Sequence, residues 1–583
     1  MSFTPSKPLI IGSRGSDLAL WQANWVQGAL QIPSRIQVIK TQGDVIHEIP
    51  LSETDGKGFF TKELEEHLLQ EKIDCAVHSL KDLPTRLPAH LSVCAVPKRA
   101  NPADWLVIHP EAFDPLRFEK NPLGVPLKEG AVVGTSSPRR ERQLQWMRPD
   151  VELKNIRGNV PTRLEKLRRR EYGALLMAGA GLERLSLDLS EWVVFRFHPW
   201  HFLPSPGQGA LGIEIRETNR LAAKEIQKLH DEKTAVAVSF ERALLEKFGG
   251  GCHLALGAYA EMKEGDQVSL SAWIAPELKK SKIPWSATVL GERQEVVAKL
   301  LEAASGRAPL TGKRMWIVRP KKPFDRLQME LQGLGAEVHL VSPLEFMLLS
   351  HWSKSLETQL EGVLKRLRSQ VLSSVYFSFT SGFSSEVFIR ALQCLKKPVF
   401  QELLARLTDQ EGAFLSAIGV STEKTITSLG LPVLDLTSFG FPFENGEAHA
   451  RGLSEFLEKY EKLEKVEVFC PGGRNKAGGF SEFLRTRGIS LLEFPFYELS
   501  SIPFQLPEEK PDAVVWMNPL SVEEVAKSVS FQNELFLNAH QIAIGGTTAK
   551  KLNDCGILHP VSPKSSEREA LLQTIQNLLI SGS

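Results

Sequence analysis

One cysteine in this 583-residue chain stands where a thiol can do chemistry. Cys252 lies in KFGGGCHLALGAYA, where TAVAVSFERALLEKF, spaced as a helix, runs into three glycines ahead of a segment that reads as strand. A glycine-flanked loop leaves a thiol accessible, so Cys252 is a candidate nucleophile or covalent attachment point. The alternative is a buried cysteine at a strand start. A Cys–His dyad is a poor fit, since the adjacent Cys252 and His253 do not easily face each other. Cys75, Cys94, Cys394, Cys470 and Cys555 are widely spaced, and no cysteine belongs to a C-x-x-C pair. That argues against a zinc site or a disulfide framework and for small buried side chains. No metal is expected.

A second constellation is basic. In GTSSPRRERQLQW, Ser137 suits a helix N-cap and Pro138 the first helical position, so Arg139 and Arg140 fall in the first turn. The helix dipole is positive there, the wrong end for cations unless an anion binds between them; otherwise they are solvated surface arginines. Arg14 follows the strand PLIIG, Lys81 and Asp82 follow DCAVHSL, Arg157 and Arg163 flank the turn in IRGNVPTR, and Arg184 is placed just past the GAG turn after ALLMA. All lie at or near strand-to-helix junctions, where open α/β sheets gather ligands. A ligand with several carboxylates would justify them, each arginine gripping one bidentately. Asp82 is the one acid among these bases. It either pairs with Lys81 or caps a turn, or it stays ionised in a cleft and stabilises a cationic intermediate or moves a proton.

The elements that must position these residues alternate along both halves. PLIIG, IQVIK, DCAVHSL, AVVGTSS and YGALLMAGAG read as strands, with LALWQANWVQGAL and KELEEHLLQEKI carrying helical spacing between them. The expected fold is α/β with several domains, because 583 residues exceed one hydrophobic core. A last helix in GERQEVVAKLLEAASG leads into a Gly/Ala/Pro-rich link from Ala304 to Gly312, which puts the main boundary near Pro309. Beyond it, AIGVSTEKTITSLG (Ala417 to Gly430) echoes AIGGTTAKKLNDCG (Ala543 to Gly556), each read as strand, Gly-Thr turn and glycine-ended helix. The composition is 42% apolar and 24% charged with net charge +1, which makes the chain neither a polycation for nucleic acid nor a membrane protein. MSFTPSKPLIIGSRGSD lacks a signal-peptide core, so a cytoplasmic location is expected.

Taken together, IGSRGSDLALWQ, GKGFFTKELEEHLL, DCAVHSLKDLP, VVGTSSPRRERQL, IRGNVPTRLEKL, MAGAGLERL, PGQGALGIE, FERALLEKFGGGC and LGAYAE resemble the porphobilinogen deaminase family over residues 7 to 305. The resemblance implies three domains: 1–100 with 205–228, 101–204, and 229–308, the first two like the lobes of periplasmic binding proteins and the third a small α+β domain carrying the cofactor cysteine. It further implies a dipyrromethane primer in thioether linkage to Cys252, and Asp82 as the catalytic carboxylate that stabilises azafulvene-like cations as ammonia leaves. Arg14, Arg139, Arg140, Arg157, Arg163 and Arg184 would hold acetate and propionate groups, with Ser16, Lys81, Ser137 and Gln208 also at binding positions. The division expected is Arg139 and Arg140 on the primer and Arg184 on incoming substrate. The chain departs from the family pattern at Asp17, at Gln42-Gly43-Asp44 and at His253-Leu254-Ala255.

In the second half, WIVRP, YFSFTSGFSSEVF, the two Ala-Ile-Gly segments and PGGRNKAGGFSEFLRTRGISLLEFPFYEL resemble the uroporphyrinogen-III synthases. This implies two α/β lobes, 313–345 with 500–583 and 346–499, joined by a two-stranded linker. The cleft would have neither metal nor nucleophile, with Thr380, Ser381, Thr422, Tyr497, Thr547 and Thr548 along it. Singly, each Thr or Ser is also an ordinary helix cap. Asn518 stands where the family often has Ser. The joint expectation is a bifunctional, monomeric enzyme of tetrapyrrole biosynthesis acting on pyrroles and a linear tetrapyrrole, with no nucleic-acid or membrane partner and a separable cyclase from about residue 313. The rivals are a deaminase with an inactive C-terminal scaffold and a non-catalytic module binding polyanions.

Overall fold

Short apolar runs bounded by glycine and charge set the strands, and the amphipathic segments between them cover the sheet faces. The computed structural model describes residues 7–41, 61–250, 254–276, 284–322, 325–417, 420–436, 446–474, 479–531, 534–565 and 568–580. These form a mixed α/β chain with five sheets among the described residues.

The first sheet has the order β2-β1-β3-β10-β4, built from β1 (Leu9–Ser13), β2 (Ser34–Val38), β3 (Cys75–Ser79), β4 (Leu91–Ala95) and β10 (Leu211–Arg216). Helix α1 (Asp17–Ala29) follows β1 and buries Ala19, Ala23 and Val26. The second sheet runs β7-β6-β8-β5-β9, from β5 (Asp104–Ile108), β6 (Val132–Gly134), β7 (Glu152–Lys154), β8 (Ala174–Ala178) and β9 (Val193–Arg196). Helix α2 (Pro138–Met147) opens after β6, with Pro138 in its first turn. The GAG segment is not a turn before Arg184: it is the start of helix α3 (Gly179–Arg184), of which Arg184 is the last residue. Helix α4 (Glu232–Lys247) then leads to a three-stranded antiparallel sheet of β11 (Leu256–Met262), β12 (Gln267–Ile274) and β13 (Trp285–Glu292).

Beyond residue 310 lie two more sheets. One, β15-β14-β21-β22, uses β14 (Arg314–Val318), β15 (Glu337–Val341), β21 (Ala513–Trp516) and β22 (His540–Ala543), all parallel. The other, β16-β20-β19-β17-β18, uses β16 (Leu344–Leu348), β17 (Ser374–Phe379), β18 (Ala413–Ala417), β19 (Val466–Gly473) and β20 (Ser490–Ser501). The helices that matter below are α5 (Arg326–Gly333), α6 (Trp352–Arg368), α7 (Gly382–Cys394), α8 (Val420–Ser428) and α9 (Gly546–Asp554). The sequence echo is a structural one: β18 ends at Ala417 before α8, β22 ends at Ala543 before α9, and Gly430 and Gly556 follow at φ +84° and +95°.

The link between the halves is packed. Leu310 is fully buried against Met315, Leu327 and Leu331, and its amide donates to the Leu334 carbonyl at 2.7 Å. More consequential is a hydrophobic core that crosses the boundary, joining Leu106, Phe118, Phe195 and Phe197 to Trp352, Leu356, Phe379 and Phe388. Trp352 sits within it, its ring 6.5 Å from that of Phe118 and its indole N–H donating to the Glu119 carbonyl at 3.0 Å. The other sheet of the second half docks separately. Met329 on α5 shares a core with Leu203 and Trp273, and Arg326 lies over the Trp200 ring at 4.3 Å. The expectation of a freely separable second half therefore needs correction: cutting near residue 313 would bare apolar faces on both pieces.

Trp352→Ala is expected to destabilise the full chain by about 3–5 kcal/mol, the range for emptying a large aromatic site. Denaturant unfolding read separately from each half should show both losing stability. A loss confined to residues beyond 310 would mean the core is not shared.

Candidate active site

The basic constellation converges on a carboxylate that sequence reasoning did not single out. Asp104 opens β5, fully buried. Arg139 donates from Nη1 to its Oδ2 at 2.7 Å, and Arg140 from Nε to its Oδ1 at 2.8 Å. Burial alone would raise the Asp104 carboxyl; the two guanidinium groups overcome that and hold it at about 2. Part of the anion called for by two arginines in a helix's first turn is thus internal. Ser137 takes the N-cap position of α2, though its hydroxyl makes no capping bond.

Gln208 extends the network. Its Nε2 donates to Asp104 at 3.0 Å and to the Pro102 carbonyl at 2.7 Å, while its Oε1 accepts from Arg140 and from Lys81, each at 3.3 Å. Burial pulls the Lys81 ammonium down to about 8 against the opposing field of Asp82 beside it. Lys81 and Asp82 form the 3-10 turn Leu80–Asp82 that ends β3, with the Asp82 carboxylate exposed. The next residue after Gln208, Gly209, has φ +84°, and a Cβ there would come within 2.6 Å of the Ala100 carbonyl, so the turn requires glycine. Its carbonyl accepts from Arg184 at 2.7 Å, and Arg184 also lies over the Trp21 ring of α1 at 5.6 Å, bridging the first two sheets. Burial lowers Arg184 to about 10. Arg163 falls to about 10 as well, through burial and then through the like charges of Arg140 and Arg157. Ser16 caps α1, accepting from the Ala19 amide at 3.4 Å, two residues after Arg14 at the end of β1. Lys81, Arg139, Arg140, Gln208 and Arg184 are thus joined through hydrogen bonds to Asp104 and Gly209, and Arg163 stands within electrostatic reach of Arg140.

Cys252 lies outside the described residues, but both flanks of its loop are placed. Arg242 on α4 donates to the carbonyls of Leu80, Leu83 and Pro84 at 3.1, 2.9 and 2.6 Å. Gly250, at φ +69°, lies beside the Thr85 hydroxyl. The chain therefore enters the Cys252 loop next to the turn that bears Asp82. Glu241, one residue before Arg242, is fully buried and pairs bidentately with Arg99 at 2.7 and 3.0 Å; it also accepts from the amides of Gly207 and Ala260. Asp104, Arg242, Glu241 and Arg99 are the positioning groups that sequence reasoning missed. In FERALLEKF, Glu241 and Arg242 look like an ordinary solvated helix face.

In the second half, Ser381 caps α7, accepting from the Ser384 amide at 3.2 Å, with Thr380 exposed before it. Tyr497 on β20 lies near Ser381 and the Gly473 backbone, and burial pushes its phenol up. Phe383 packs on Phe346 at 4.1 Å and edge-on to Tyr497 at 4.8 Å. Thr422 is buried in the first turn of α8, one turn ahead of Thr425, whose side chain lies against Gly382. Thr547 (exposed) and Thr548 (buried) stand on the other sheet of this half, in the first turn of α9. Gly545 before them has extended backbone at φ −175°, and a Cβ there would meet nothing within 4 Å. Asn518 caps the helix Pro519–Ser528 through its Oδ1, a task Asn and Ser share.

Comparisons with known proteins match both halves. Residues 9–224 match the family model "Porphobilinogen deaminase, dipyromethane cofactor binding domain", 235–303 "Porphobilinogen deaminase, C-terminal domain", and 325–573 "Uroporphyrinogen-III synthase HemD". The porphobilinogen deaminase of Bacillus cereus (strain G9842) is 39% identical over 321 residues, 54% of this chain and 99% of its own. That of Synechococcus elongatus is 44% identical over 271 residues, 46% of this chain and 82% of its own. Among solved structures, the uroporphyrinogen-III synthetase of Helicobacter pylori 26695 aligns with 46% of this chain and 99% of its own, at 18% identity and a TM-score of 0.29.

Asp104→Asn should cost about 3–5 kcal/mol near neutral pH, because it leaves two buried guanidinium groups uncompensated. The carboxyl's depressed folded-state value contributes stability above its ordinary value near 3.8 that is lost as pH falls through about 2. Acid titrations of stability should therefore show a fall between these values in the wild type that is absent from the variant. Parallel curves for both proteins would assign Asp104 no such role.

Proposed function

Since the chain belongs to the porphobilinogen deaminase family and carries a uroporphyrinogen-III synthase region after it, we propose that its halves work in sequence on one tetrapyrrole. The first joins four porphobilinogens into hydroxymethylbilane with loss of ammonia. The second closes that chain to uroporphyrinogen III with inversion of the last ring. The observation that carries this reading is the Arg242 clamp, which starts the Cys252 loop beside the Asp82 turn.

The groups around that turn suit a dipyrromethane with carboxylate side chains. Arg139 Nε is buried and without a partner among the described residues, and the Arg140 and Arg157 charges lie close enough to Arg163 to lower it further. In this reading Cys252 holds the cofactor, which supplies the pyrrole end that is extended. Arg139 and Arg140 orient its acidic groups from the Asp104 anchor, and Arg184, bridging the two sheets, takes incoming substrate. Arg14, Ser16, Ser137, Arg157 and Arg163 complete the carboxylate grip, with Lys81 and Gln208 tying it to Asp82. The exposed Asp82 carboxylate stabilises the cation left as ammonia departs from porphobilinogen. The first two sheets suit lobes like those of periplasmic binding proteins, over 1–100 with 205–228 and 101–204, with the cofactor domain at 229–308.

The cyclase reading divides the second half into 313–345 with 500–583 and 346–499, with Thr380, Ser381, Thr422 and Tyr497 facing Thr547 and Thr548. Antiparallel pairing of β16 with β20, from Leu344 opposite Ser501, suits the two-stranded linker. Hydroxyls and helix N-termini can hold carboxylates there without arginine. We place the enzyme in the cytoplasm as a monomer.

Intact mass of the purified chain should exceed the sequence mass by two linked pyrroles, and Cys252→Ser should remove both the excess and turnover. Fed porphobilinogen, the wild type should yield type III uroporphyrinogen. A Cys252→Ser variant that keeps full activity would end the assignment. Asp82→Glu, which shifts the carboxylate by about 1 Å, should keep the mass excess yet lose about a hundredfold in rate. Wild-type turnover by Asp82→Ala would rule out a catalytic role.

A further inference from the structure

The two helices that present the proposed cyclase cleft are braced from behind by the deaminase half. Strand β9 is the edge of the second sheet, and α7 and α8 pack beside it. On α7, the Arg390 guanidinium lies over the Phe195 ring at 4.0 Å, donates to the Arg196 carbonyl at 3.2 Å and is held by Glu386 at 2.7 Å. Arg196 reaches the other way. Its Nη1 donates to the Leu429 carbonyl at 2.8 Å, at the C-terminal end of α8, where the helix dipole favours a cation. Gln393 of α7 donates to the same carbonyl at 2.8 Å, and Asn101 to the Ser428 carbonyl at 3.1 Å. Gly430, at φ +84°, lies so close that a Cβ would run into Arg196 Nη1.

The opposite ends of the same helices bear Thr380 and Ser381 before α7 and Thr422 in the first turn of α8. Behind Arg196, its guanidinium lies over the Trp105 ring at 4.2 Å, and Trp105 follows Asp104 in β5. An apolar side chain in this seam would hold the halves together as well as a half-buried arginine does, without its desolvation cost. What the guanidinium adds is direction, since its planar fork is fixed at once by a ring and a carbonyl.

We propose that Arg196 is a positioning residue for ring closure: by capping α8 it sets where Thr422 stands, so the cyclase cleft has a back wall made by the deaminase half. This rests on the cyclase reading given above. A displacement of about 1 Å at such a site can cost a hundredfold in rate without loss of binding.

The test uses the full-length chain, with porphobilinogen consumption and cyclisation of added hydroxymethylbilane measured on the same samples. Arg196→Met should leave deaminase turnover unchanged and lower cyclase kcat about ten- to a hundredfold at unchanged KM, with type I isomer appearing. Arg196→Lys should recover part of the loss, because an ammonium can still donate to the Leu429 carbonyl. Gly430→Ala, reaching the contact from the cyclase side, should produce the same fall. The double variant Arg196→Met with Gly430→Ala should fall by less than the product of the two single effects, since no guanidinium is left to displace and only the strain of a side chain at φ +84° remains. Wild-type cyclisation by Arg196→Met or Gly430→Ala would overturn the proposal, as would parallel loss of both activities with melting temperature. A wild-type chain that forms only type I isomer would instead refute the cyclase reading, and the proposal with it.

Discussion

A carboxylate sealed between two guanidinium groups sets the terms for the rest of the first half. Bringing Arg139, Arg140, Arg163 and Lys81 to one place puts like charges near one another with little water to screen them. Asp104 makes that possible, because it offsets one of the two charges that lie deepest and fixes the direction in which each fork points. Gln208 then spans Asp104, Arg140 and Lys81 with a neutral amide, adding geometry without further charge. The outcome is a cluster that stays net positive even after Asp104 offsets one of its deepest cations, in a chain whose overall charge is only +1.

The joint between the halves follows different physics. It is mainly apolar, with Trp352, Phe118, Phe379 and Phe388 in one core, and several of its polar contacts are directional ones to backbone carbonyls. Each sheet beyond residue 310 docks on a different part of the first half, one through α5 on the three-stranded sheet and one through α6, α7 and α8 on the second sheet. Two sheets joined to each other by short connections would otherwise be free to hinge. Anchoring both to the same body fixes the angle between them.

Much of this was legible in the sequence, and the exceptions have a common cause. Strands such as PLIIG and ALLMA, the Ser137-Pro138 helix start, and the glycine-ended helices at Gly430 and Gly556 are local signals, written within a few residues of where they act. Asp104 was not legible: in NPADWLVI it reads as the polar edge of a strand, and its partners lie 35 and 36 residues away. Arg242 reads as a solvated helix face until α4 is laid against the Leu80–Asp82 turn. Arg196 and Arg390 sit in segments with no motif, and each acquires meaning only through a partner in the other half. What spacing cannot reveal is which distant carbonyl or ring a long cationic side chain will meet.

The edge position of β9 bears on how the protein is made. Its outer side faces α7, which supplies Arg390 to the Arg196 carbonyl and the Cys394 thiol, 3.7 Å from the Val194 carbonyl. An uncovered strand edge is a template for pairing with another chain. Synthesis proceeds from the N-terminus, so β9 emerges with its sheet long before Gly382–Cys394 exists. At ordinary elongation rates that interval is on the order of ten seconds or more. During it the nascent first half can fold around Asp104 while leaving one flank open. The aromatic run Phe195, Phe197 and Phe202 behind that flank makes it a place for a chaperone to hold, or for neighbouring nascent chains to find each other.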